Sequence, residues 1–206
     1  IFPGFPMACL TSMIEPLRAA NEISGTDSFQ WKLIAEGAGK VASSAHVAFD
    51  PDVVLSDVMG LDCLILLSPP MGNFENPRAA NGALRSLERH GCILGGVSGG
   101  VFPLTRAGVM SNHTVSVHWC YEAAFRSEFR DIDASDQVIE VSTRRTTASG
   151  AAAAFDLSLR LIENSLGADV ATEVACWFQH PLMRGEGVRQ TIPTFRKAST
   201  DATLPS

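Results

Sequence analysis

The sequence has no run approaching the ~20 apolar residues of a membrane span and no stretch that reads as a signal peptide. It has no C-x-x-C pair, no H-E-x-x-H and no clustered set of metal-ligand side chains, so neither a metal nor any other cofactor is called for. It has no basic block. With a net charge of −6 and a pI of about 5.3, the chain by itself is a poor binder of nucleic acid. Internal repeats are absent too. The five cysteines, Cys9, Cys63, Cys92, Cys120 and Cys176, are odd in number, and most sit in apolar segments as buried thiols do; a reducing cytoplasm fits them.

What is present is a chain of 206 residues, 46% of them hydrophobic, enough for one domain with a substantial core. Ile1–Phe5 reads as the tail of a strand entering a loop, which predicts residues upstream. The chain is organised around Cys92–Leu104. Cys92–Leu94 reads as a short buried strand that runs into a glycine-dense turn, and Val101–Leu104 opens a helix. Ser98 sits at the apex with Gly96 and Gly100 two residues to either side, a match to G-x-S-x-G. Such a turn lifts one side chain above the carboxyl edge of a sheet and brings backbone N–H groups close to a bound group. A nucleophile, a ligand contact and a purely structural turn all satisfy the pattern.

The remaining elements follow from periodicity. Ala8–Ile23 carries a helical apolar stripe, with Pro16 expected to kink it or start a new segment. Strands are expected at Phe29–Ala35, Leu61–Leu67, Thr114–Val117 and Gln137–Ser142, with a short extended piece at Val47–Asp52. Helices are expected at Pro77–His90, Tyr121–Phe129, Ala151–Leu166 and Ala168–Phe178, and Thr146–Gly150 reads as a turn into the third of these. Strands alternating with helices predict an α/β fold, a parallel sheet with helices on both faces. Ligands of such sheets bind outside the carboxyl ends of the strands. Ser68-Pro69, Ser98, His118 and Ser149-Gly150 all fall at those ends and are expected to share one crevice.

Several side chains carry competing readings. Glu15 is either an exposed helix glutamate or a partly buried carboxylate aimed at Ser98. The order Ser98, Asp156, His180 matches that of an α/β-hydrolase triad, although Asp156 lies inside an alanine-rich helix. Trp119 is either a core or interface aromatic or a pocket wall able to hold an ammonium group, with Tyr121 and Glu122 completing a cationic-ligand site. Arg18 is expected in solvent.

The segments Ile14–Asn21, Gly95–Gly100, Arg106–Gly108, Val117–Trp119 and Ala154–Leu157, in that order, resemble the sensor domain of AraC-type transcription regulators. The branch is the one with a class I glutamine amidotransferase-like (PfpI/ThiJ-like, GlxA-type) domain, and the resemblance covers about Ile1 to Arg189. It implies a flavodoxin-like sandwich that senses a small metabolite and forms a homodimer in the cytoplasm. DNA would be read only through a carboxy-terminal helix-turn-helix domain that this sequence does not contain. Residues 1–180 would be the sensing domain and 181–206 a polar linker towards it.

In the enzymatic relatives that the resemblance brings in, the elbow holds a cysteine supported by a glutamate and a histidine. Those positions are Ser98, Glu15 and His118 here. A hydroxyl needs an aligned base where a thiol does not, and the family's regulators commonly lack activity. The expectation is therefore no catalysis. Ser98, Gly99, Glu15, Ser68, Pro69, His118, Trp119, Ser149 and Gly150 would line a pocket for an amine, amino acid or betaine-like effector. The alternative is a serine hydrolase or amidase using Ser98 with His118 and Glu15.

Overall fold

The computed structural model describes residues 1–181, 184 and 187–193. In chain order the elements are α1 (Met7–Ser24), β1 (Ile34–Ala35), β2 (Val41–Ala42), β3 (Ala48–Phe49) and β4 (Val53–Val54), a 3-10 turn, then β5 (Cys63–Ser68) and α2 (Pro77–Arg89). They continue with β6 (Ile93–Ser98), α3 (Val101–Arg106), β7 (Val115–Ser116), α4 (Glu122–Glu128) and β8 (Ala134–Ser135). The last are β9 (Ile139–Val141), β10 (Arg145–Ala148), α5 (Ala151–Leu166) and α6 (Ala168–Trp177).

The central sheet runs β5-β6-β10-β9. Its first three strands are parallel, and β9 is an antiparallel edge. Leu64 and Leu66 point to one face, where they pack with α2, α3 and Phe125 of α4. Leu67, Val97 and Ala148 point to the other, against Cys9, Met13 and Leu157 of α1 and α5. A strand alternates faces every residue, so a continuous apolar run such as Cys63–Leu67 needs cover on both. The helices provide it, and α6 closes a further cluster against α1 and α5 through Ala19, Phe155 and Val174.

Three expectations are corrected. First, β6 does not end at Leu94; it runs through Gly95 and Gly96 to Ser98. Gly95 stands in the sheet because a Cβ there would lie 2.7 Å from the Thr146 carbonyl oxygen, so it makes room for the neighbouring strand, whereas a Cβ on Gly96 would lie 2.8 Å from the Val101 nitrogen, so Gly96 makes room for the turn that follows. Second, Thr146–Ala148 is not a turn but most of β10, the strand between β6 and β9. Its polar look is deceptive: Thr147 is buried, and its hydroxyl accepts the Ser116 N–H at 2.7 Å. Third, of Phe29–Ala35 only Ile34–Ala35 pairs, with β4. Asn21 holds the backbone at Phe29 instead, donating to its carbonyl at 2.7 Å and accepting from its N–H at 2.9 Å. α1 meanwhile runs through a buried Pro16 as one helix.

A cavity of about 1100 Å³ separates β1 from the edge of β5 that faces away from β6, lined by Ile34, Ala35, Cys63, Ile65 and Met13. At one end Ile1 and Phe2 bridge it, through N–H···O bonds to Ile34 (2.6 Å) and Leu67 (3.0 Å). It is bounded by strand edges and lies away from the Ser98 elbow.

Much of the segment expected as a linker, 181–206, lies outside the described residues. Those that are described dock on the domain. Val138 donates to the Val188 carbonyl at 2.8 Å, Arg189 forms an antiparallel bridge with Gln137, and Arg184 reaches Asp156.

Candidate functional site

Ser68 and Ser98 are register partners, the last residues of β5 and β6. Ser98 has φ of 56°, the left-handed region, which costs a residue with a Cβ about 1–2 kcal/mol. It holds that conformation at 7% exposure. The turn that follows is packed tightly: a Cβ on Gly99 would strike the Ser68 carbonyl, and one on Gly100 the Leu66 carbonyl. The loop after Ser68 is fixed by Arg106, which explains the Arg106-Ala107-Gly108 motif. Its guanidinium donates to the carbonyls of Gly72 at 2.8 Å and Pro70 at 3.2 Å and is anchored by Glu128 at 2.6 Å. Ser68 itself is turned inward, its hydroxyl on the Pro69 carbonyl at 2.7 Å.

His118 follows β7. Its ring lies over Gly150, whose added Cβ would stand 3.4 Å from the ring, and beside Trp119 and Tyr121 at 5.4 and 5.3 Å between centroids. Nδ1 faces Cys120 Sγ at 2.9 Å and the Cys120 N–H at 3.3 Å. Burial holds the imidazole below its ordinary pKa, so it is neutral at pH 7. The Tyr121 phenol is within hydrogen-bonding reach of both Cys120 and Ser98, and burial first, then Cys120, raises its pKa. The structure therefore brings together Ser98, Gly99, Ser68, Pro69, His118 and Gly150, with Tyr121 spanning the gap between Ser98 and the His118 turn. Ser149 is buried beside them, its N–H on the Val138 carbonyl at 2.9 Å. Trp119 is half-buried, its N–H donating to Gln190 Oε1 at 2.9 Å.

Glu15 is elsewhere. Its carboxylate binds Arg18 Nε at 2.9 Å on a face of α1 where both side chains are more than a third exposed, and Arg18 is tied on to Glu22 at 2.8 Å. The α1 residue facing the Ser98 cluster is Cys9, buried, in electrostatic contact with Tyr121, its thiol pushed up to about 11 by desolvation. Glu15 is six residues on, about 120° round the helix and about 9 Å along it. Glu15→Gln is accordingly expected to change stability by less than about 0.5 kcal/mol, as exposed pairs do. A melting temperature lowered by more than about 3 °C would place Glu15 in a tighter role than a surface pair.

Glu122 pairs with Arg126 at 2.8 Å along α4, which leaves it a helix-surface partner rather than part of a cationic-ligand site. Asp156 and His180 do meet, at 3.1 Å, but Arg184 shares the carboxylate at 2.7 Å and His180 stacks on Phe155 at 4.4 Å, among the residues that join α1, α5 and α6. Of the five cysteines, Cys9 and Cys92 are buried and Cys63 is partly so, while Cys120 and Cys176 are exposed. Among the described residues no group of three or more His, Cys, Asp or Glu could hold a metal, and no helix is long and apolar enough to cross a membrane.

Comparison with known proteins adds the family context. No family model matches the chain. The HTH-type transcriptional regulator GbdR of Pseudomonas aeruginosa is 28% identical over 193 residues, which are 94% of this chain and 53% of that protein. CdhR of the same organism is 30% identical over 85% of this chain and 52% of its own length. GlxA of Rhizobium meliloti is 30% identical over 86% and 55%. Among solved structures, an AraC family transcriptional regulator from Pseudomonas putida superposes with a TM-score of 0.74 at 23% identity, covering 86% of this chain and 95% of that one. Drosophila melanogaster DJ-1beta gives 0.70 at 19%, covering 88% and 95%. A ThiJ/PfpI family protein from Pseudomonas syringae gives 0.71 at 15%, covering 97% and 81%.

The chain is a DJ-1/PfpI-fold homologue of HTH-type transcriptional regulators. As a DJ-1/PfpI-type fold it has the flavodoxin-like α/β arrangement expected from its sequence. It spans about half the length of the curated regulators it matches. Two residues that join this cluster escaped the sequence reading. Cys120 could have been found two positions beyond the strand-ending His118, and Cys9 on the α1 stripe with Met13 and Pro16. Gln190 carries no local signal.

Proposed function

We propose that this domain is the effector-sensing part of an AraC-type transcription regulator, binding a small metabolite at the Ser98 elbow. The observation that carries the reading is Ser98 itself. It is strained and buried at the joined ends of β5 and β6, beside Tyr121 and His118, in a chain whose relatives are HTH-type regulators. Backbone strain of this kind collects at ligand clamps and active sites. An amine, amino acid or betaine-like effector would lie over Ser98 and Gly99 with Ser68, Pro69, His118, Trp119, Ser149 and Gly150 around it.

The domain would act without catalysis. Ser98 neighbours a phenol that burial keeps protonated rather than a base, and Glu15 is held by Arg18. A hydroxyl with no base in line is a hydrogen-bonding group, not a nucleophile. The effector would shift the population of sensor arrangements, and a homodimer in the cytoplasm would transmit the shift to a helix-turn-helix domain that contacts DNA. The docking of Arg184 and residues 187–190 supports starting the linker beyond Gln190.

A thermal-shift panel of amino acids, quaternary amines, polyamines and small carboxylates tests this. An effector at 100 times its dissociation constant adds about 2.7 kcal/mol, or roughly 5–10 °C for a chain of this size. Ser98→Ala is expected to weaken that shift. A saturable hit untouched by the substitution would move the site away from the elbow, and turnover of ester or amide substrates would make the domain a hydrolase.

A further inference from the structure

The elbow carries a hydroxyl where thiol chemistry would need sulfur, yet a thiol stands one side chain away. Cys120 is exposed, its Sγ 2.9 Å from His118 Nδ1, and the Tyr121 phenol reaches both it and Ser98. The Cys120 N–H also donates to Nδ1 at 3.3 Å. The backbone donor fixes Nδ1 as the acceptor and leaves the ring proton on Nε2, which makes the thiol the donor in the Nδ1–Sγ contact. Nδ1 is therefore placed to take the thiol proton. We infer that Cys120, with His118 as its base and Tyr121 as a hydrogen-bond donor, is a nucleophilic thiol site of this domain that reacts with small hydroperoxides.

The step balances. The thiol proton moves to Nδ1, and the thiolate attacks one peroxide oxygen. An S–O bond forms and the O–O bond breaks. The leaving hydroxide or alkoxide takes the proton from the imidazolium, giving water or alcohol. Sulfur is oxidised by two electrons to a sulfenic acid, the peroxide is reduced, and His118 returns to its neutral form. Tyr121 can donate to the thiolate and to the sulfenate oxygen.

The other four cysteines lack these conditions. Burial pushes the Cys9, Cys63 and Cys92 thiols up to about 11, 12 and 11. Cys176 is exposed in the last turn of α6, and the imidazole nearest to it in sequence, His180, is bound to Asp156 at 3.1 Å. Cys176, exposed as Cys120 is, is thus an internal control. The inference goes beyond effector sensing and needs no effector for its test.

The experiment exposes the full chain to hydrogen peroxide at pH 7 with dimedone as the sulfenic-acid trap, followed by peptide mass spectrometry of each cysteine. Cys120 is expected to be trapped at least about tenfold faster than Cys176, the difference a local base makes to a thiol. His118→Gln should bring Cys120 down to the Cys176 rate and leave Cys176 unchanged. Equal rates at the two positions in the unsubstituted chain would overturn the inference, as would a Cys120 rate indifferent to His118→Gln. Because the first comparison needs no substitution, it decides the matter even if His118→Gln fails to fold. Tyr121→Phe, which removes a single oxygen, should slow Cys120 to an intermediate rate.

Discussion

Gly100→Ala is expected to lower the melting temperature by roughly 6–12 °C, the equivalent of about 3 kcal/mol or more in a chain of this size. A Cβ at this position would fall onto the Leu66 carbonyl, 2.7 Å from its carbon and 3.0 Å from the Val97 carbonyl oxygen. None of these is a flexible side-chain end that could swing aside. Leu66 is in the β5–β6 ladder opposite Gly96, and Val97 accepts the Gly100 N–H at 2.9 Å. The strain can be relieved only by lifting α3 from the sheet. That helix is buried through Val101, Phe102 and Leu104, so lifting it opens the larger core cluster. Gly82→Ala is the matched control. Gly82 lies in the interior of α2, and an added Cβ meets nothing within 4 Å. The same chemical change there should raise stability by up to about 1 kcal/mol through helix propensity. If Gly100→Ala melted within about 2 °C of the unsubstituted chain, the close packing of the elbow against β5 would be wrong.

Asp156→Asn is expected to cost about 2–4 kcal/mol, the range for breaking a buried ion pair on one side, reduced because Arg184 is partly exposed. Asp156 is fully buried, and both oxygens are engaged. One takes His180 Nε2 at 3.1 Å and the Arg184 N–H at 3.2 Å; the other takes Arg184 Nε at 2.7 Å. An amide would turn its NH2 either towards the guanidinium or towards the Arg184 N–H, and in both orientations leaves a cation without its counter-charge. Because Arg184 belongs to the segment that continues to Gln190, the substitution should also free that segment. Trypsin cleavage after Arg184 is expected to accelerate at least about tenfold as the docked form loses population. Unchanged cleavage alongside reduced stability would separate Asp156 from the docking of the tail.

The elements most legible in the sequence were those whose burial pattern matches their side chains. β5 is a continuous apolar run because both of its faces are covered, and α5 is alanine-rich where it crosses β6, β9 and β10. The Ser98 elbow was legible because its glycines cluster in one short window, although Gly99 and Gly100 answer to carbonyls of β5 and the loop after it rather than to the turn itself. β10 was hidden because Thr146 and Thr147 are buried, with the Thr147 hydroxyl bound to a backbone group of β7, a long-range compensation that no window of sequence displays. The extension of β6 through Gly95 and Gly96 was hidden for the opposite reason: glycine signals a turn locally, whereas here both stay in the strand, Gly95 making room for β10 and Gly96 for the backbone that opens α3. Helical periodicity set α1 but not which of its faces meets Ser98, so Glu15 stood where the structure puts Cys9. The contact between Gln190 and Trp119 spans 71 residues and was beyond any local pattern.

That last contact has a thermodynamic consequence. The Gln190 side chain accepts from the Trp119 N–H and donates to the Val117 carbonyl at 2.8 Å, gripping the backbone on both sides of His118. Any molecule that shifts the His118 turn therefore changes the free energy of seating Gln190, and linkage makes the effect mutual. A load that pulls Gln190 from its seat must alter affinity at the turn by the same factor. Residues 187–190 are thus joined to the His118 turn through one side-chain amide, so the seating of the segment and the conformation of the turn share a single reversible equilibrium.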